Sequence, residues 1–197
     1  MKHSRRSTAR SAPVSLSIVV SEPSWRGEKN LLPAIRRAAR IAAAAPRANG
    51  EATVEPMLIT ILLTGDSELR DLNARFRNKH TPTNVLSFPA APGFEPHLGD
   101  IAIGFGVVAR EAREARKSLE AHAAHLTVHG VLHLLGYDHN QTDEATIMEA
   151  LEISILARMG IPNPYGRAPA RRRHRGRGTQ RRIDADLPIH RPASRRH

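Results

Sequence analysis

The stretch HGVLHLLGYDH, residues 129–139, carries the pattern H-x-x-x-H-x-x-G-x-x-H. On an α-helix the side chains of His129 and His133 project from one face, one turn apart. Gly136 can adopt the left-handed conformation that ends a helix, so His139 can fold back toward the pair. The spacing therefore predicts a helix whose end brings three imidazoles together.

Three neutral imidazoles that leave one position open are typical of a catalytic zinc site, in which the ion lowers the pKa of its water to about 7. A lone histidine on an apolar helix is more often an ordinary buried side chain, but three at this spacing favour a ligand set. The chain has no cysteine, so His, Asp and Glu are the strong ligands available. We predict one zinc ion per chain, held by His129, His133 and His139.

The residues around this motif separate it from other zinc sites. Zinc proteases with the same spacing carry a glutamate after the first histidine as general base, whereas this chain has Gly130. Asp138 is the nearest acid, and we expect it to orient a ligand or to cap the turn. His125, one turn before His129, could contact a ligand or the substrate, and His122 is expected at the surface.

Apolar periodicity predicts the elements that surround the motif. Strands are predicted at 14–20, 54–64, 84–90 and 100–106, and helices at 28–45, 65–77, from 107 onward, at 123–136 and at 142–160. Strands and helices are mixed without strict alternation, which favours an α+β fold. We expect a small mixed sheet of about four strands packed with about five helices.

The net charge of +11 lies at the two ends of the chain. Residues 167–197 contain 11 Arg and two Asp, and residues 1–12 contain four basic residues, so residues 13–166 sum to about −2. We predict a flexible basic N-terminus over 1–12, a single catalytic domain over 13–166 and a disordered Arg-rich tail over 167–197. Such a tail holds polyanions non-specifically, or is an extension with little role.

The apolar runs are too short to cross a bilayer, which needs about 20 residues. LITILLT, residues 58–64, is among the longest. The basic opening MKHSRRSTARSAP is compatible with a transit peptide, but it continues into a predicted strand without a processing signal, so a frayed terminus is favoured. We expect a soluble protein with no membrane partner.

Four segments give the chain a strong resemblance to the YbeY family of metal-dependent endoribonucleases, which are also ribosomal RNA maturation factors. They are HGVLHLLGYDH (129–139), LNARFRNKHTPTNVLSFP (72–89), LGDIAI (98–103) and EALEISILARMGIPNPY (149–165). The resemblance spans about residues 14 to 165 and implies a zincin-like α+β fold. The Arg-rich tail extends beyond it.

The resemblance also implies an activity and its partners. These are cleavage of single-stranded RNA, 3′-end maturation of small-subunit ribosomal RNA and ribosome quality control, with the small subunit as a partner and no small-molecule cofactor. It implies that His129, His133 and His139 hold the metal. Metal-activated water or the substrate's own 2′-hydroxyl would attack the phosphodiester, and the residues leave this choice open.

Arg77 matches the arginine that follows Tyr or Phe in the family, and with His129 it is expected to take part in catalysis. A guanidinium can bind the phosphate oxygens that gain charge during cleavage. Without the resemblance, Arg77 is an ordinary surface residue. Many relatives have Asp where this chain has His80, which is either a tolerated loop variant or a source of pH dependence near neutrality.

Two other functions fit parts of the sequence. A zinc peptidase is disfavoured by Gly130. A non-catalytic ribosome-assembly factor would use the metal structurally and the tail for affinity, and the open coordination position argues against it.

Aromatic residues make up 4% of the chain, so no stacking platform for bases is expected.

Overall fold

A computed structural model describes residues 14–50, 56–139 and 141–166 of the chain. The β-strands and α-helices are, in chain order, β1 (Val14–Val20), α1 (Leu31–Ala42), β2 (Met57–Thr64), α2 (Asp66–Arg77), β3 (Val85–Pro89), β4 (His97–Gly104), α3 (Phe105–Glu114), α4 (Leu119–Leu134) and α5 (Thr142–Ala157), and a short 3-10 helix spans Pro23–Arg26. The predicted flexible segments 1–12 and 167–197 lie outside the described residues and stay predictions. In the described ranges, no helix is both long enough and apolar enough to span a bilayer.

The four strands form one mixed sheet in the order β1-β2-β4-β3. The pairs β1–β2 and β2–β4 are parallel, and β3 runs antiparallel to β4. Parallel neighbours require a crossover connection, and α1 supplies it between β1 and β2. The predicted α+β fold is confirmed, and the described residues form a mixed sheet of four strands and five α-helices.

The two faces of the sheet carry different side chains, because neighbouring residues of a strand point in opposite directions. Ile59, Ile61 and Ile101 join the main core with residues of α1 and α4. On the opposite face, Leu86 and Ala102 form a smaller cluster with Leu69 and other residues of α2 and the sheet. The edge strand β3 is therefore flanked by α4 on one face and α2 on the other.

Helix α4 begins earlier than the sequence pattern predicts. It starts at Leu119 rather than Ala123, because the Ser118 side chain accepts a hydrogen bond from the Ala121 N–H at 3.1 Å and caps the first turn. The helix ends at Leu134, and Gly136 follows with a φ of 91°. Gly136 thus ends the helix as predicted, and the chain turns back toward the preceding turn.

Candidate metal centre

The end of α4 and the turn after it bring His129, His133 and His139 together. One ring nitrogen of each lies within 4.8 Å of one from each of the others. Their ring centroids are 4.6, 5.1 and 5.5 Å apart. Zn–N bonds of about 2.0–2.1 Å put ligand nitrogens about 3.4 Å apart in a tetrahedral site, so small side-chain adjustments would suffice to place one ion among them. The three side chains therefore form a candidate metal centre.

The hydrogen bonds of two of these rings define where their protons lie. The Nδ1 atom of His133 is 2.9 Å from the carbonyl oxygen of Tyr137, which can only accept, so this nitrogen carries the proton. The Nδ1 atom of His129 is 2.8 Å from a carboxylate oxygen of Glu152 and donates to it. In the neutral rings both Nε2 atoms then present lone pairs, and they face each other at 3.0 Å. Two facing lone pairs repel each other, and a cation bound between them would remove that repulsion.

His133 is neutral over a wide pH range. Burial, and then the neighbouring charges of His129 and His139, lower its pKa to about 4. A neutral imidazole is the form that binds a metal ion. These surroundings therefore keep His133 in the form that binds a metal ion at neutral pH.

Glu152 of α5 contacts His129 on the side of the ring that faces away from His133. Its side chain is only 1% exposed, and its two oxygens accept from three donors. One oxygen receives His129 Nδ1, and the other receives His125 Nε2 at 2.7 Å and the hydroxyl of Tyr165. A carboxylate that accepts from the outer nitrogen of a ligating histidine fixes the ring's orientation and raises its basicity.

The ionisation of this cluster follows from the same contacts. Burial by itself raises the pKa of Glu152, but hydrogen bonds from His125 and His129, together with their charges, lower it to about 2. Burial, and then the bond to Glu152, raise the pKa of Tyr165 well above its ordinary value. At neutral pH the cluster holds an ionised carboxylate and a protonated phenol, so Glu152 accepts all three bonds.

A second histidine–carboxylate pair lies further up α4. The expectation of a surface position for His122 is wrong, since its side chain is only 12% exposed. Its Nε2 atom is 2.8 Å from Glu111, whose carboxylate also accepts from Asn84 at 3.0 Å. Burial raises the pKa of Glu111, but these hydrogen bonds outweigh it and lower the pKa overall. His122 therefore ties α3, α4 and the start of β3 together.

Gly130 lies where α4 touches the sheet. A β-carbon at this position would lie 3.0 Å from a methyl group of Ile101 and 3.2 Å from the hydroxyl of Ser87. Ser87 itself donates to the Gly130 carbonyl at 3.3 Å. A glutamate here would meet the buried sheet rather than the space in front of the histidines. The position therefore cannot supply the base of a zinc protease without repacking.

The remaining predicted residues lie around this centre. Asp138 accepts from the His139 N–H at 2.7 Å, which agrees with a role in holding the turn. Arg77 is the last residue of α2 and is exposed, as is His80 in the following loop. Across the described ranges, no hydrogen bond or ion pair joins Arg77 to the three histidines. The catalytic role of Arg77 thus stays a prediction.

Comparison with known proteins identifies the chain's relatives. The sequence model of the family described as endoribonuclease YbeY matches residues 28–160. This chain belongs to the YbeY family. A relative from Chelativorans sp. (strain BNC1), described as endoribonuclease YbeY, is 45% identical over 80% of this chain and 96% of its own length. A relative of the same description from Rhodopseudomonas palustris is 44% identical over 81% of this chain and 85% of its own.

Among solved structures, the chain is similar to TM1509 from Thermotoga maritima. The two are 22% identical, with a TM-score of 0.47, over 80% of this chain and 100% of that one. The YbeY family match covers both the histidine motif and α2, which ends at Arg77.

Sequence reasoning missed the buried partners of the histidines. Glu152 reads as one acid among several on α5, and only its burial sets it apart from Glu149, which is exposed. A signal was present, because the pattern of α5 places Glu152 next to Leu151 and Ile155 among apolar positions. A charged residue on an apolar stripe indicates a buried partner. His125 is a possible contact of the ligands on sequence grounds, and the structure connects it to His129 through Glu152.

Proposed function

We propose that this protein is a zinc-dependent endoribonuclease that cleaves single-stranded RNA and matures the 3′ end of small-subunit ribosomal RNA. Membership of the YbeY family supports an endoribonuclease activity. The observation that carries the proposal is the pair of Nε2 lone pairs of His129 and His133 that face each other at 3.0 Å beside His139. Such a donor set suits one zinc ion with a position left open.

The proposed roles of the residues follow from their chemistry. A zinc ion, when bound, polarises a phosphoryl oxygen and lowers the pKa of its water. His129, His133 and His139 hold the ion, and Glu152 and the Tyr137 carbonyl fix the tautomers of the first two. Arg77 binds the non-bridging oxygens through its planar guanidinium. Because Arg77 is exposed at a helix end, RNA can reach it without displacing other structure.

The proposal extends to the setting of the reaction. Ribosomal RNA as substrate implies contact with the small ribosomal subunit and a part in ribosome quality control. The bacterial relatives and an RNA substrate support a cytoplasmic location. Residues 13–166 would form the catalytic domain, with 1–12 and 167–197 as basic extensions that hold RNA through phosphate contacts.

The deciding experiment is cleavage of end-labelled single-stranded RNA by the full-length protein. We expect chelator to abolish cleavage, added zinc to restore it in wild type, and His133→Ala to stay inactive with zinc present. Equal cleavage by all samples would refute the metal mechanism. RNA binding without cleavage in zinc-loaded wild type would instead favour the assembly-factor function.

A further inference from the structure

An exposed aromatic ring lies among cations at the end of α2. Phe76 is 57% exposed, which is high for a side chain of this size and apolarity. Its ring meets that of Phe88 on β3 edge to face, with centroids 5.0 Å apart. The guanidinium of Arg75 lies 5.5 Å from the Phe76 centroid, within reach of a cation–π contact. We call Arg75, Phe76, Arg77, Lys79 and Phe88 the aromatic–basic patch.

The chain segment that carries this ring has charge of one sign, although Asp100 of β4 lies opposite Phe88 in the sheet. Positions 72–94 contain no Asp or Glu, whereas Arg75, Arg77 and Lys79 are basic. Cations near a helix C-terminus also complement the helix dipole, which explains part of this charge. The dipole does not explain why a phenylalanine is left in water between two arginines. Exposed aromatic rings combined with cations are the features that bind single-stranded nucleic acid.

The patch is linked to the helix that carries the histidines through the edge strand β3. Asn73, only 4% exposed, donates to the Thr81 carbonyl at 2.8 Å and so ties the loop that leads into β3 to α2. On β3, Ser87 points toward α4 and contacts the carbonyl of Gly130, next to His129. Phe88, the next residue, points to the opposite face, where it packs with the cluster of Leu69, Leu86 and Ala102. One strand therefore separates the patch from the helix that carries the histidines.

We propose that the aromatic–basic patch is a base-stacking site, in which an unpaired base of the RNA lies on Phe76 while Arg75 and Lys79 bind the flanking phosphates. The inference rests on the proposed function, adds a source of selectivity to it, and replaces the expectation, drawn from the low aromatic content, of no stacking platform. A base can stack on a protein ring only when it has left the RNA helix, so the site discriminates against paired RNA. Stacking reads the flat face that all bases share, and it therefore selects single strands without selecting sequence.

The test is a double-mutant cycle between the ring and the bases. Binding of wild type and Phe76→Ala is measured, in chelator to prevent cleavage, to a short single-stranded RNA and to a fully abasic strand of equal length. The phosphates are the same in both strands, so the Arg-rich tail contributes equally to both. Wild type should prefer the strand with bases, and Phe76→Ala should reduce that preference at least about fivefold.

Two variants keep the result interpretable. Phe76→Tyr retains a stacking face and should bind as wild type does. Phe94→Ala removes an aromatic ring that is 66% exposed and lies beside Glu95 rather than among cations, and it should leave the preference unchanged. A preference that Phe76→Ala leaves within about twofold of wild type would overturn the stacking site.

The cycle separates this inference from the proposed function. Zinc-loaded wild type that cleaves RNA while Phe76→Ala keeps the full base preference refutes the stacking site and leaves the nuclease intact. The opposite outcome is also possible to recognise. If wild type prefers the strand with bases, Phe76→Ala loses that preference and zinc-loaded wild type does not cleave RNA, the nuclease is refuted while the stacking site stands.

Discussion

At the scale of single residues, Glu152 connects the metal centre to the rest of the protein. One buried carboxylate accepts from His129, His125 and Tyr165, so it couples a predicted ligand to two further side chains. The facing nitrogen of His129 is available to a metal only while its Nδ1 proton stays on the Glu152 side. Glu152 therefore determines the tautomer of His129, which it contacts only at the Nδ1 side of the ring.

Glu152→Gln should weaken zinc binding by roughly 10- to 100-fold, because an amide accepts from the imidazole more weakly than a carboxylate and holds no charge. The measurement is zinc affinity in competition with a chelator of known affinity. Glu149→Gln is the matched control, since Glu149 is exposed on the same helix and should bind zinc as wild type does. Equal affinities for the two variants would exclude a role for Glu152 in positioning His129.

At the scale of elements, the contact between α4 and the sheet limits which side chains fit at position 130 of the histidine-bearing helix. The turn at Gly130 lies directly on Ile101 and Ser87, and the histidines project from a different side of the helix. A β-carbon at position 130 would require these neighbours to shift by a few tenths of an ångström. The position at which a protease would carry its base is thus used for packing.

Gly130→Glu should lower the free energy of unfolding by about 2 kcal/mol or more and should produce no peptidase activity, because the new side chain overpacks a buried interface and brings a charge into it. Urea unfolding and a peptide-cleavage assay measure the two effects. Gly130→Ala, which adds only the β-carbon, should be less destabilising. A stable Gly130→Glu variant that hydrolyses peptides would contradict this account of the α4–sheet contact.

At the scale of the whole molecule, the excess positive charge and the predicted catalytic residues lie in different parts of the chain. The tail over 167–197 carries a net charge of +9, whereas residues 13–166 sum to about −2. Electrostatic attraction to RNA should therefore come mainly from the tail, and cleavage from the candidate metal centre.

Deletion of residues 167–197 should lower RNA affinity and flatten its salt dependence, because fewer phosphate counterions are released on binding. The sites of cleavage should stay the same. Affinity is measured across a salt series and cleavage by mapping of end-labelled RNA, with a tail of shuffled order but equal composition as the control that retains affinity. An altered cleavage pattern in the deletion variant would show that the tail helps to select the site.

Much of the fold and part of the site could be predicted from local patterns. The strand at 14–20 and the helix through His129 and His133 follow from spacings of two and of three or four residues, and the strand predicted at 100–106 overlaps β4. The caps and the burial of polar side chains were harder to predict. His122 is largely shielded from solvent because Glu111, on a different helix, lies opposite it, and no pattern within α4 reveals that partner.

The sequence by itself determined the approach of the three histidines, since two lie one helical turn apart and Gly136 lets the third return over a short distance. Only the tertiary structure decided which nitrogens face the centre, because Glu152 is 23 residues from His129 and reaches it through the packing of α5 on α4. It likewise decided that Phe76 and Phe88 meet, 12 positions apart, across α2 and β3. The physical reason is one of range: helix geometry sets contacts within a turn, whereas contacts between elements depend on how the whole chain buries its apolar faces.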